Sequence, residues 1–295
     1  MSKTPPAKGL IALLRLPYWL MTGGLSLLTA FAITKGVSLS LQTVLLIFFS
    51  MACITSAGFS INDYFDKESD AIIKPKRPIP SGALSLKQVI SISTVLFALG
   101  LVLAAFINWL SFTILVVDSA LLLVYSAMVK RKSGFVANVL VGILTGTAFL
   151  YGEATISNPP GLSLISLSLY PIAFGTIGGN VLRDILSLEG DTKVGYPTLP
   201  QKIGNPNSAK VAAAFFIACG VFTPLPFIIG EFTIYYLPLI LLWSALLIYS
   251  SIRLVASDST VANVRKYERI ITMSMILLPL ALILEALSTT IGALL

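Results

Sequence analysis

Residues 39–70 read LSLQTVLLIFFSMACITSAGFSINDYFDKESD. The stretch 39–61 is apolar, carries no charge and is long enough to cross a bilayer as a helix, which needs about 20 residues. Directly after it, residues 62–70 hold Asp63, Asp66, Glu68 and Asp70. A spanning helix that ends in a carboxylate cluster is the unit from which the rest of the chain is read. Eight more apolar runs of spanning length lie near 10–34, 86–107, 109–129, 134–156, 162–183, 208–229, 232–254 and 268–293. The first is irregular, with Arg15 and Pro17 near its start. It is full length and lacks a small-residue cleavage site, so it is expected to be a retained span and not a removable signal.

Composition agrees. Of 295 residues 56% are hydrophobic and only 11% are charged, against about 25% charged in a soluble domain. Mean hydropathy is +0.91. A soluble globule and a disordered chain are both excluded. The two cysteines, Cys53 and Cys219, sit in apolar runs and read as small buried residues. There is no histidine, which removes imidazole-ligated metals and histidine relays. The expectation is one all-α domain over 1–295, a polytopic membrane protein with nine spans.

Basic residues orient it. If the spans alternate, 19 of the 20 Lys and Arg fall on one side, leaving Lys35 alone on the other. The positive-inside rule makes the rich side cytoplasmic, with the N-terminus inside and the C-terminus outside. The net charge of +7 is thus topology and attraction to anionic lipid or substrate, with no nucleic-acid partner implied. No residue speaks to oligomeric state.

The acids are concentrated. Seven of 13 lie in 61–70 and in Arg183-Asp184-Ile185-Leu186-Ser187-Leu188-Glu189-Gly190-Asp191, both at cytoplasmic span ends. Asn62, Asp66 and Asp70 are spaced i, i+4, i+8, and Asp184 and Asp191 are seven apart, so each set shares a helix face. Like charges at i, i+4 repel unless a cation sits between them. Hard oxygen ligands without His or Cys favour Mg²⁺, which completes its shell with water and substrate phosphate oxygens. Basic residues on the same side, Arg15, Lys76, Arg77, Lys130 and Lys193, suit a phosphorylated substrate. Asp118, deep in the fourth run, shares a face with Tyr125 and is a candidate cavity lining. Aromatics such as Trp109, Phe112, Phe135, Phe149, Tyr151 and Tyr170 are candidate linings too. Glu153 and Glu285 are expected near the outer interface.

These residues resemble a known family. NDYFDKESDAIIKPKRPIPSG (62–82) and RDILSLEGD (183–191), with nine spans, resemble the UbiA-type intramembrane prenyltransferases over nearly the whole chain. The resemblance implies a helical bundle around a central, lipid-open cavity, capped by the two cytoplasmic motif loops. It implies two Mg²⁺ ions bridging a prenyl diphosphate, one at Asn62, Asp66 and Asp70 and one at Asp184 and Asp191. Asp66, Asp70, Asp184 and Asp191 are then catalytic. Arg15, Asp63, Lys76, Arg77, Asp118, Tyr125, Lys130 and Lys193 are candidates for substrate contact. The segments 62–82, 124–152 and 188–200 are most similar to the archaeal ether-lipid branch. That branch transfers a geranylgeranyl group to the free hydroxyl of geranylgeranylglyceryl phosphate. Aromatic, quinone-precursor or tetrapyrrole acceptors are the alternatives. The family usually carries an Asp where this chain has Ser187; either Asp184 works with Asp191 or the second metal site is weakened. A cation transporter is the competing class, but its site belongs near the bilayer midplane, whereas both clusters lie at span ends.

Overall fold

The computed structural model describes residues 5–35, 38–289 and 291; Lys3 and the C-terminal residues 292–295 lie outside them. Among the described residues nine helices are long and apolar enough to cross a membrane. They are α1 (Pro6–Ile33), α2 (Leu41–Phe65), α3 (Leu86–Ala105), α4 (Trp109–Lys132), α5 (Gly134–Ala154), α6 (Leu164–Lys193), α7 (Leu199–Ile228), α8 (Leu237–Ala256) and α9 (Val261–Ala286). No strand occurs among the described residues. Large apolar side chains such as Leu20, Leu41, Phe106 and Trp109 stand exposed around the outside, as a lipid-facing surface requires.

The helices match the expected runs in number and order and differ in length. α6 continues to Lys193 instead of stopping near 183 and α9 begins at Val261 instead of 268; α7 begins at Leu199 with a short turn that is broken at Gly204 (φ 77°, ψ 163°), so its unbroken part starts close to the expected 208. Hydropathy marks only the lipid-embedded part, whereas capping sets the true ends. The Gln201 side chain accepts from the Thr198 N–H at 3.2 Å, reaching back over the first turn of α7, and the Thr260 hydroxyl accepts from the Asn263 N–H at 3.4 Å, satisfying an otherwise open helix-end donor.

Each helix packs on the next, and α9 returns to α1, so the bundle closes on itself. α1 also packs against α5 and divides the ring, with α2–α4 on one side and α6–α9 on the other. Two glycines allow that close approach. A Cβ on Gly23 of α1 would lie 2.6 Å from the Phe48 carbonyl oxygen of α2, and one on Gly152 of α5 would lie 2.5 Å from the Ser26 carbonyl oxygen of α1. Small residues at such crossings are what helix association in lipid relies on. α1 is therefore clamped on two sides, which fixes the residues at its N-terminal end.

Candidate active site

The ends of α1, α2, α4 and α6 that lie on one side of the bundle carry most of the charged side chains singled out in the sequence. α1 is broken there into Pro6–Leu14 and Pro17–Ile33. Arg15 sits at the break in a left-handed conformation, φ 50°, ψ 53°, an arrangement that costs a non-glycine residue roughly 1–2 kcal/mol. The break turns the guanidinium inward. Arg15 Nη2 donates to Asp63 Oδ1 at 2.6 Å, and its Cζ lies 4.2 Å from the centroid of the Phe59 ring. The cost of a charge inside an apolar run is thus offset by a buried carboxylate and an aromatic face.

α2 reaches Phe65, and a short helix, Lys67–Ile73, follows with Asp66 at the junction. The backbone stays in helical register through it. The N–H groups of Asp66, Asp70 and Lys74 donate to the carbonyls of Asn62, Asp66 and Asp70 at 2.9, 2.8 and 2.8 Å. Asn62, Asp66 and Asp70 are therefore stacked, as their spacing suggested. Asn62 Nδ2 donates to Asp66 Oδ2 at 2.8 Å, and Lys130 donates to the same oxygen. Burial dominates at Asp70 and raises its carboxyl pKa, with the nearby Lys74 partly opposing it.

The proline-rich loop folds back under this helix. Arg77 donates to Asp63 Oδ1, the oxygen that Arg15 also engages. Asp63 is thereby the anchor that ties the start of α1 and the 74–84 loop to the end of α2. Lys76 is exposed and is not brought into this cluster.

The second motif approaches from α6. Asn138 of α5 donates from Nδ2 to Asp184 Oδ2 at 2.7 Å. Ser187 Oγ lies 2.5 Å from Asp191 Oδ2 and donates to it, so the residue that stands where the family carries an acid orients the neighbouring carboxylate. Lys193 is exposed and pairs with Glu189, Nζ to Oε1 2.7 Å, on its own helix. The two motifs meet around α4. Tyr125 lies within electrostatic reach of Asp66, Asp184 and Arg15, and Lys130 lies within reach of Asp70 and Asp184. Between those two residues α4 adopts a π-helical turn, Tyr125–Val129, in which the Lys130 N–H donates to the Tyr125 carbonyl. Such turns accommodate one extra residue while the helix beyond them keeps its facing, and they recur at functional sites.

Other candidates fall elsewhere. Asp118 is buried within the bundle, and Thr147 Oγ1 donates to its Oδ2 at 2.7 Å. Trp109 and Phe112 are exposed on the lipid face, and Phe149 and Tyr151 are fully buried core, so these four aromatics are not brought to the charged cluster. A heptad-like spacing cannot tell which face of a helix meets lipid. Glu153 and Glu285 lie at helix ends on the side opposite the charged cluster but are buried: Glu153 accepts from the Ser163 N–H at 3.0 Å, and Glu285 accepts from the Thr233 N–H at 2.9 Å.

The first motif fits a cation. Asn62 Oδ1 is buried with no hydrogen-bond partner among the described residues. The buried Asp70 carboxylate has only Lys74 Nζ, at 4.0 Å. An orphaned amide oxygen and an under-compensated carboxylate one turn either side of Asp66 suit a hard divalent ion. Among the described residues no three acids converge tightly enough to hold a metal alone, which suits Mg²⁺ sharing its shell with water and phosphate oxygens.

A family model for UbiA prenyltransferases matches residues 24–278. The chain belongs to the UbiA prenyltransferase family. Digeranylgeranylglyceryl phosphate synthase of Natronomonas pharaonis is 36% identical over 230 residues, covering 78% of this chain and 81% of that one. A solved structure described as digeranylgeranylglyceryl phosphate synthase in membranes superposes with TM-score 0.81 at 29% identity, covering 96% of this chain and 99% of the other. A UbiA homologue from Archaeoglobus fulgidus, solved bound to DMAPP and Mg²⁺, has TM-score 0.65 at 20% identity, covering 91% and 98%; it is similar in fold.

This UbiA prenyltransferase chain is a multi-pass membrane enzyme, and its site includes residues the sequence did not single out. Tyr196, in the loop after α6, donates from its hydroxyl to Asp66 Oδ1 at 2.9 Å and lies 2.7 Å from Ser69 Oγ. Its ring centroid is 4.9 Å from Lys130 Nζ. Burial and the nearby carboxylates raise the Tyr196 pKa, so it stays a donor. Asn138 was likewise unmarked. Both are single polar residues in ordinary surroundings, and only tertiary contact reveals them; the adjacent Asp191 and Lys193 are the one local hint for Tyr196.

Proposed function

We propose that this enzyme transfers a geranylgeranyl group from geranylgeranyl diphosphate to the free hydroxyl of geranylgeranylglyceryl phosphate, forming the diether core of archaeal lipids. The observation that carries this is the stack Asn62-Asp66-Asp70 joined to Lys130 and Tyr196, in a chain that is similar to digeranylgeranylglyceryl phosphate synthases over most of its length. The reaction takes place in the cell membrane, with the N-terminus and both motifs cytoplasmic and the C-terminus outside. The whole chain, 1–295, works as one domain around a cavity open to lipid.

Asn62, Asp66 and Asp70 would hold one Mg²⁺, and Asp184 and Asp191 would hold a second; the fold's occurrence with DMAPP and Mg²⁺ supports this choice of metal. When bound, the metal supplies positive charge against the diphosphate. The chain's own residues do the rest. Lys130, already beside Asp66, adds an ammonium to the phosphate oxygens as charge builds on the leaving group. Arg15 and Arg77 act through Asp63, holding the α1 end and the 74–84 loop in place. Tyr196 and Asn138 fix the orientation of Asp66 and Asp184. Tyr196 also ties the loop after α6 to the Lys67–Ile73 helix, which closes a cap over the site and excludes water that would compete for the allylic carbon. The allylic C–O bond breaks with its electron pair leaving on the diphosphate; the acceptor hydroxyl oxygen bonds to the freed carbon and passes its proton to the released diphosphate.

Incubating the purified protein with geranylgeranyl diphosphate and Mg²⁺, with geranylgeranylglyceryl phosphate or 4-hydroxybenzoate as acceptor, tests the reading. The diether product with the glyceryl phosphate alone is expected. Product with the aromatic acid alone overturns the acceptor.

A further inference from the structure

Beside the charged cluster, the cytoplasmic ends of α2, α4 and α6 border an open hollow of about 510 Å³, within the range that holds a small ligand. Phe65, Ile72 and Val194 form its apolar side; Arg131, Lys193 and Glu68 form its polar side. It lies at the span ends, which is the depth of lipid head groups. Arg131 donates from Nη2 to the Phe65 carbonyl at 2.6 Å. That bond fixes the guanidinium plane, and among the described residues Arg131 has no carboxylate partner, so the rest of its donor fork is available. Lys193 is held only by Glu189 in an ion pair whose side chains are 62% and 87% exposed, a solvated pair worth little, so its ammonium is free to turn to another anion. Glu68 lies 3.6 Å from Lys67 Nζ, which offsets its charge. Tyr196 lines the hollow as well and donates to Asp66, so whatever fills the hollow touches the residue that orients the first motif.

We propose that this hollow takes the phosphate monoester head group of the acceptor lipid, with Arg131 and Lys193 on the phosphate and Phe65, Ile72 and Val194 against the carbons next to it. The assignment rests on the proposed acceptor and adds where its head group sits. It gives the two anionic substrates separate basic residues: Lys130 for the diphosphate, Arg131 and Lys193 for the monoester.

The test is equilibrium binding of radiolabelled geranylgeranylglyceryl phosphate to the purified protein in detergent, without prenyl diphosphate and without Mg²⁺. Lys193→Glu, at an exposed position with no packing role, weakens binding roughly tenfold or more, and Arg131→Lys, which keeps one donor for Phe65, weakens it several-fold. Neither change alters binding of the same lipid lacking its phosphate, which wild type binds as weakly as the variants do. Equal binding by wild type and Lys193→Glu, or no preference of wild type for the phosphorylated lipid, overturns the assignment. Displacement of the label by phosphatidylglycerol at the same concentration as by unlabelled acceptor makes the hollow a general anionic-lipid site and also overturns it. Turnover is read separately: phosphate-dependent binding lost in Lys193→Glu, with no prenyl transfer by wild type, contradicts the proposed reaction and leaves the hollow standing.

Discussion

Arg15 reaches Asp63 across a break in its own helix, Nη2 to Oδ1 2.6 Å, from a left-handed backbone position. Asp63 is 2% exposed and also accepts from Arg77. Removing the acid strands two guanidiniums, whereas removing one arginine leaves the acid a partner. Asp63→Ala is expected to cost about 3 kcal/mol or more, and Arg15→Gln about 2 kcal/mol. Thermal unfolding of the detergent-purified variants measures the order; an Arg15→Gln loss larger than that of Asp63→Ala contradicts it.

The π-helical turn at Tyr125–Val129 keeps Tyr125 and Lys130 on one face although they are five apart. Removing one residue there is expected to restore an ordinary α-turn with the same two residues stacked, because four residues also make one turn. Deletion of the exposed Met128 should therefore retain measurable prenyl transfer, whereas deletion of Leu121, in regular helix, rotates Lys130 away from Asp66 by about 100° and abolishes it. Equal loss in both deletions contradicts the register argument.

Tyr196 and Asp66 are joined by one hydrogen bond from a loop far along the chain. Residues that orient a metal ligand are worth roughly 10–100-fold in metal affinity. Tyr196→Phe keeps the ring over Lys130 and loses the hydroxyl. It is expected to raise the Mg²⁺ concentration for half-maximal activity roughly tenfold, with a smaller change at saturating Mg²⁺. An unchanged Mg²⁺ curve removes Tyr196 from the site.

Burial raises the Asp70 pKa. The folded state then binds this proton more tightly than the unfolded state, so its ionisation opposes folding: stability falls as pH rises from the ordinary carboxylate range, about 3.9 for Asp, through the raised value. In metal-free buffer, melting temperature should decline over that window in wild type and decline less in Asp70→Asn. Saturating Mg²⁺ should flatten the wild-type curve, since it neutralises the same carboxylate. A steeper decline in Asp70→Asn contradicts this.

Much of this was legible from residue type and spacing. Nine apolar runs give nine helices among the described residues, because a lipid-spanning backbone has few alternatives. Asn62, Asp66 and Asp70 stack because four-residue spacing survives the junction at Asp66. What stayed hidden depends on contacts between distant segments. Nothing local marks Asn138 as a partner of Asp184, and only the neighbouring Asp191 and Lys193 hint at Tyr196 as a partner of Asp66. Lys76 and Lys193 read as well as Lys130 in the sequence, yet of the three only Lys130 meets the first motif, and it does so through a π-turn that periodicity does not foresee. Trp109 and Phe112 face lipid because their helix lies at the rim of the bundle, a property of packing order.

The most direct test compares wild type with Asp66→Ala after reconstitution in lipid. Radiolabelled geranylgeranyl diphosphate and geranylgeranylglyceryl phosphate are supplied with and without Mg²⁺, and the diether product is counted. Product from wild type only with Mg²⁺, and a loss of roughly a thousandfold or more in a folded Asp66→Ala, is the expected result. Transfer that persists in Asp66→Ala, or in wild type stripped of divalent ions, contradicts a carboxylate-held metal at the first motif.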